Sequence, residues 1–179
     1  MIIGLMGKMQ AGKSTAATYL KEKHGFIVLS FGTVMKEMLI KAKMATRESL
    51  YENKTDESRL LMQQFATDLV RDQIDQDFWV KKLVNQVREI ISESDGPVNF
   101  IIDDVRFQNE AQMIQLAHGG YIVQINRYNH APSMNGVGSD HRSEKEQDEI
   151  ISDYVIMNNG TIQALYKQID DMVNFALRK

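Results

Sequence analysis

Apolar residues fall along this chain in two rhythms. Five short runs, residues 2–6, 26–30, 98–103, 121–126 and 154–157, are rich in branched and aromatic side chains and read as strands buried on both faces. Between them, residues 13–24, 34–45, 59–74, 78–92, 107–118 and 162–177 repeat apolar positions at three and four, the period of a helix packed along one face. Strand and helix alternate, which predicts an α/β fold: a five-stranded, mainly parallel sheet with helices on both faces and right-handed crossovers. From about residue 31 to 97 the pattern is almost purely helical, far more chain than the dozen or so residues a crossover needs, so a helical insertion is expected between the second and third strands. In such open sheets the ligand sits beyond the carboxyl ends of the strands, and the residues after each strand are where chemistry is sought.

Composition narrows the class. A 179-residue chain with 43% hydrophobic and 25% charged residues fits one domain spanning 1–179, able to hold a core without covalent staples. Cysteine is absent, which excludes a disulfide scaffold, a thiol nucleophile and any Cys-ligated metal. No apolar run approaches the ~18–20 residues of a transmembrane helix, and residues 1–9 are too glycine-broken for a signal peptide; a cytoplasmic protein without a membrane partner is expected. The net charge of -3 argues against binding a nucleic-acid polymer, although local cations and backbone amides can still hold a small anion. His24, His118, His130 and His141 show no paired metal spacing, and no G-x-S-x-G turn occurs.

The strongest motif follows the first strand. Residues 7–14, G-K-M-Q-A-G-K-S, fit the phosphate loop G-x-x-x-x-G-K-[ST], with Gly7, Gly12, Lys13 and Ser14 at its fixed positions. Glycines let the backbone curl round a phosphate with its amides inward, at the positive end of a helix. Lys13 is expected at the β- and γ-phosphates, Ser14 on Mg²⁺ and Thr15 on the α-phosphate. The fold class is therefore read as the P-loop NTPase fold.

A second constellation ends the third strand, Asp103-Asp104-Val105-Arg106. Carboxylates at the end of a buried strand are costly unless used. One of the two aspartates is expected to serve the Mg²⁺ shell or orient the attacking oxygen, and Arg106 offers a planar fork to phosphate. The competing structural reading has Asp104 capping the next helix and Arg106 in a surface ion pair. Arg127, ending the fourth strand, and Arg142 flank a glycine-rich stretch, 135–141; the region 127–142 reads as a lid-like loop able to bring both arginines over the phosphates. Residues 143–146, S-E-K-E, match a capping box. Asn53-Lys54-Thr55-Asp56 spells a guanine-recognition motif, but it lies inside the helical insertion and not after a buried strand, so a turn and helix start is the better reading. Met113, Met157 and Met172 read as core filler.

Taken in order, several stretches resemble one family: G-K-M-Q-A-G-K-S-T; R-L-L-M-Q at 59–63, T-D-L at 67–69 and W-V-K at 79–81; D-V-R-F-Q-N-E at 104–110; H-R-S-E at 141–144; and I-M-N-N-G-T at 156–161. Together they resemble the deoxynucleoside monophosphate kinases of bacteriophages, with phosphomevalonate and dephospho-coenzyme A kinases as more distant relatives. The resemblance implies ATP, with Mg²⁺, on Gly7, Gln10, Ala11, Gly12, Lys13, Ser14 and Thr15, and adenine near Asn158 and Gly160. It places the acceptor monophosphate near Arg59, Arg71 and Arg106, and Lys36 and Trp79 are further candidates for the acceptor side. Lys13, Asp104, Arg106 and Arg127 are the implied catalytic set, Ser14 and Asp104 the implied metal ligands, and a homodimer an implied assembly. Several relatives carry aspartate where this chain has Ser14, so an ordinary serine–magnesium shell is expected here. The implied reaction is ATP-dependent phosphorylation of deoxynucleoside 5′-monophosphates to diphosphates. The alternatives keep the fold and change the acceptor, to phosphomevalonate or dephospho-coenzyme A, or make the chain a nucleotide-dependent switch or ATPase.

Overall fold

Five parallel strands form the sheet, in the order β2-β3-β1-β4-β5, in a computed structural model that describes residues 1–128, 142 and 146–177. They are β1 (Ile2–Met6), β2 (Ile27–Leu29), β3 (Phe100–Ile102), β4 (Gly120–Asn126) and β5 (Tyr154–Met157). Around them run α1 (Lys13–His24), α2 (Phe31–Lys41), α3 (Asp56–Gln63), α4 (Phe78–Ser92), α5 (Gln108–Leu116) and α6 (Ile162–Ala176). Each expected strand and helix is present. β2 and β3 are shorter than their apolar runs, but the hydrogen bonding extends past them, from Ile27 N to Asn99 O at 2.8 Å and from Asp103 N to Leu29 O at 3.2 Å.

Register explains which residues face which layer. β1 pairs with β3 through Ile3↔Ile101 and with β4 through Leu5↔Val123, and β4 pairs with β5 through Ile125↔Ile156. All six side chains bury into one core with Ala16, Ala17 and Leu20 of α1 and Leu165, Ile169 and Met172 of α6. Alternation along the strands sends Ile122 to the opposite face, where α5 packs through Ile114. Helices thus cover both faces, as expected.

The chain falls into two compact units, one drawn from Met1–Leu29, Ser94–Pro132 and Arg142–Lys179, the other chiefly Ser30–Glu93. The second is the helical insertion. Its core is Leu39, Leu50, Val70, Trp79 and Leu83, all buried, with α2 packed on α4. Two features depart from the simple helical reading. Residues 48–52 form a π-helical turn, and α3 continues from Gln64 to Ile74 as a π-helix. The N-K-T-D stretch is a helix start: Thr55 Oγ1 accepts from Ser58 N at 3.2 Å, with Asp56 and Glu57 in the first turn. Met172 is core, but Met113 is half-buried and Met157 is exposed on edge strand β5, so the core-filler reading holds for the first alone. The stretch 135–141, most of the lid-like region and most of the 143–146 capping box lie outside the described residues. Among the described residues no helix is long and apolar enough to cross a membrane.

Candidate functional site

The loop from Gly7 to Gly12 leaves β1 and enters α1 through backbone that ordinary residues resist. Gly7 has φ +143° and Gly12 φ +109°, and Gln10 takes a left-handed φ of 64°, which costs a non-glycine residue roughly 1–2 kcal/mol. A side chain at Gly12 is doubly excluded: its Cβ would stand 2.4 Å from Asn158 Nδ2. Asn158 comes this close because Nδ2 donates to Ala11 O at 2.8 Å, while its own amide donates to Asn126 O at 2.7 Å. The residue after β5 is thereby tied both to β4 and to the loop.

α1 begins at Gly12 without any side-chain cap, so its first amides face outward beside the exposed Ser14 hydroxyl. Lys13 folds back over the loop, donating to Gly7 O and, at 3.1 Å, to Lys8 O. A cleft of about 370 Å³ opens here, a volume in the range of small-ligand pockets. Gln10, Gly12, Lys13, Ser14 and Thr15 line it together with Arg127, Asn158 and Gly160, and Ile162 and Leu165 add apolar surface. Uncapped amides, a lysine and a hydroxyl suit a polyphosphate, and the apolar surface suits a flat heterocycle. These residues fit ATP.

Asp103 and Asp104 follow β3, which lies beside β1, so both stand at the carboxyl end of the sheet next to the start of the loop. Ser14 with these carboxylates is the sparse oxygen donor set typical of Mg²⁺, which relies mainly on substrate phosphates and water. The residue at the N-cap position of α5 is Phe107, and Glu110 supplies cap bonds from within the helix, its Oε2 accepting from Arg106 N at 2.9 Å and Phe107 N at 3.2 Å. The sequence carried half of a capping box here, glutamate three residues after Phe107, but no hydroxyl residue to announce it. Gln147, equally unannounced, is buried and donates from Nε2 to Val105 O at 2.8 Å. Arg142 pairs with Glu146 one turn later.

Lys36, Arg59, Arg71 and Trp79 all belong to the helical unit. Lys36 Nζ lies 4.4 Å from the centre of the Tyr51 ring. Burial, and then donation to Glu37 at 3.0 Å, pushes the Tyr51 hydroxyl above its usual range. Arg59 is half-buried. Arg71 is 3% exposed and donates from Nη1 to Gln76 O at 3.2 Å. Trp79 is also 3% exposed, its indole nitrogen donating to Ala66 O at 2.9 Å and its ring edge-on to Phe78. Its ring is core, which leaves it no open face on which to stack a base.

Comparison with known proteins adds an independent line. The family model for deoxynucleotide monophosphate kinase matches residues 45–169, a span that starts after the phosphate loop. A protein of Acanthamoeba polyphaga mimivirus, whose name proposes deoxynucleotide monophosphate kinase activity for it, is 32% identical over 98% of this chain and 97% of its own. Among solved structures, TT1252 from Thermus thermophilus is similar at a TM-score of 0.58 and 14% identity, covering 98% of this chain and 97% of that one. Dephospho-CoA kinase from Campylobacter jejuni is similar at a TM-score of 0.52 and 11% identity, over 98% and 96% of the two chains. These two structures share the fold.

Proposed function

Since this chain belongs to the deoxynucleotide monophosphate kinase family, and is thus a nucleotide-directed phosphotransferase, we propose that it moves the γ-phosphoryl group of ATP to the 5′-phosphate of a deoxynucleoside monophosphate. The observation that carries this reading is the separation of its two supports. The phosphate loop at residues 7–15 lies outside the matched span of 45–169, whereas Arg127, Asn158 and Gly160 of the same cleft lie within it, so the donor loop and the family match rest on different residues.

An oxygen of the acceptor's phosphate attacks the γ-phosphorus, the bond from that phosphorus to the β–γ bridging oxygen breaks, and ADP leaves. The acceptor is already anionic, so no strong general base is required. Gln10 to Thr15 bind the donor through loop amides, and Lys13 balances charge on the β- and γ-phosphates. Mg²⁺, when held by Ser14 with Asp104 beside it, supplies neutralisation of the phosphate oxygens. Arg106 holds the acceptor phosphate or the group in flight, in a bidentate geometry that lysine cannot reproduce. Arg127, which lines the same cleft as the loop, pairs with transferred charge. Arg59, Lys36 and the buried Arg71 shape the acceptor side within the helical unit, with Trp79 acting from its core. Asn158 and Gly160 bound the adenine side.

The test supplies ATP labelled at the γ-phosphate with each deoxynucleoside monophosphate, its ribonucleotide counterpart, dephospho-coenzyme A and phosphomevalonate. Label is expected in the terminal phosphate of a deoxynucleoside diphosphate, with kcat/KM higher for the deoxy than the ribo form of the same base. Label carried to either of the last two acceptors instead would overturn the acceptor assignment.

A further inference from the structure

The peptide bond entering Arg106 is held at both edges by buried side chains from different parts of the chain. Its carbonyl, on Val105, accepts from Gln147 Nε2 at 2.8 Å. Its N–H, on Arg106, donates to Glu110 Oε2 at 2.9 Å, and the same oxygen takes the Phe107 amide at 3.2 Å. Gln147 and Glu110 are each 3% exposed. The preceding amide, Val105 N, donates to Leu5 O at 3.1 Å, which ties this turn to β1 and so to the strand that carries the phosphate loop.

We propose that Gln147 is a positioning residue for Arg106: by fixing the Val105–Arg106 peptide plane it aims the arginine at the phosphate it serves. This rests on the reading that Arg106 acts on the acceptor side. Glu110 fixes the N–H edge from within α5, which any capped helix start would require. Gln147 is different, because it lies 42 residues away on a short 3-10 turn, Gln147–Glu149, with no local duty towards α5. A buried carbonyl deprived of its donor is expensive, so the plane would rotate to find another partner and carry the Arg106 Cα with it. In catalytic alignment a displacement of about 1 Å costs on the order of a hundredfold in rate.

The same turn is anchored on the donor side as well. Asp148 pairs with Lys8 of the phosphate loop at 2.7 Å, and Glu149 O accepts from Gln108 Nε2 at 2.9 Å. The Lys8–Asp148 pair is more than half exposed on both sides, so it adds little rigidity. Gln147 is the buried contact of the turn, and it is the one that meets the arginine's backbone.

Two variants test this. Gln147→Met keeps the length of the side chain and removes the donor. It should lower kcat/KM for the deoxynucleoside monophosphate by at least tenfold, raise the Kd of that acceptor in calorimetric titration, and leave ATP affinity measured without acceptor unchanged. Gln147→Glu sets a carboxylate against the Val105 carbonyl, repelling it when ionised and donating to it when protonated. Its kcat/KM relative to wild type should therefore climb as pH is lowered, while the Gln147→Met ratio stays flat. A folded Gln147→Met enzyme with wild-type kinetics, equal losses for ATP and acceptor, or a pH-independent Gln147→Glu ratio each overturns the proposal. Should Gln147→Met fail to fold, the Gln147→Glu ratio decides alone. Wild-type enzyme that phosphorylates no deoxynucleoside monophosphate would instead overturn the functional reading itself.

Discussion

Lys13 turns back on its own loop, its ammonium donating to the carbonyls of Gly7 and Lys8. It lines the cleft, half-buried, and is not part of the apolar core. Lys13→Ala should accordingly cut phosphoryl transfer by a hundredfold or more, the scale of about 2.7–4 kcal/mol seen when one preorganised donor to developing charge is lost. Thermal unfolding should change little, and turnover and melting measured on one preparation check both halves. Survival of turnover within about tenfold, only ~1.4 kcal/mol of barrier, would contradict the role given to Lys13. At this scale legibility followed motif spacing. Gly7, Gly12, Lys13 and Ser14 stand at fixed intervals within one loop and were readable as a set. Asn158 and Gln147 act on Ala11 and Val105 from 147 and 42 residues away, and no local pattern announces such contacts. Trp79 marks a different limit, since a tryptophan in an amphipathic helix does not declare from its type alone how deeply the fold buries it.

Among the elements, β1, β5, α1 and α4 matched their apolar patterns to the residue, because buried strands and amphipathic helices write their period directly into the sequence. The ends of α2 did not. Its start is set by Ser30, whose hydroxyl accepts from Thr33 N at 3.3 Å, three residues before the apolar period begins. Its stop is a left-handed Lys43 at φ 57°, where Lys43 N bonds Ile40 O and Met44 N bonds Leu39 O, both at 3.0 Å. Glycine is the usual signal for that cap, and this chain uses lysine. The π-helix of 64–74 is equally silent, for it continues α3 with no glycine, proline or cap residue at Gln63–Gln64 to mark the change.

The pairing of α1 with α6 carries a pH prediction. Asp170 on α6 accepts from Lys23 Nζ at 2.7 Å and Tyr19 OH at 3.1 Å, and sits 2.8 Å from His24 Nε2. The Lys23 bond first, then those of His24 and Tyr19, hold the Asp170 carboxyl below its ordinary 3.8, against an opposing push from burial. A carboxylate depressed on folding contributes stability that is present above its unfolded value and lost as pH falls through the folded one. At the alkaline end Lys23, raised above 10.5 chiefly by Asp170, contributes stability lost only as pH rises past that raised value. The melting-temperature gap between wild type and Asp170→Asn should thus close as pH falls below about 3.8. Lys23 is half exposed, so the shape of this curve, and not its height, is the readout. A gap that stays constant down to pH 3 would contradict the assignment.

For the molecule as a whole, alternating strand and helix patterns sufficed to predict a parallel five-stranded sheet, since each buried strand needs a helix on the way to the next. That the helical insertion forms a compact unit was less legible, because the apolar faces of residues 34–45, 59–74 and 78–92 state that these helices pack but not against what, and Leu50 lies in none of these patterns. The proposed function commits phosphate-loop chemistry to an acceptor. It is tested most directly by following ADP and deoxynucleoside diphosphate together, from ATP and Mg²⁺, with and without each deoxynucleoside monophosphate. A kinase gives one ADP for each diphosphate formed and a low rate of ADP release when no acceptor is present. ADP formation at the same rate with or without every monophosphate, and no diphosphate product, would contradict the account and make the chain a nucleotide-dependent switch or ATPase.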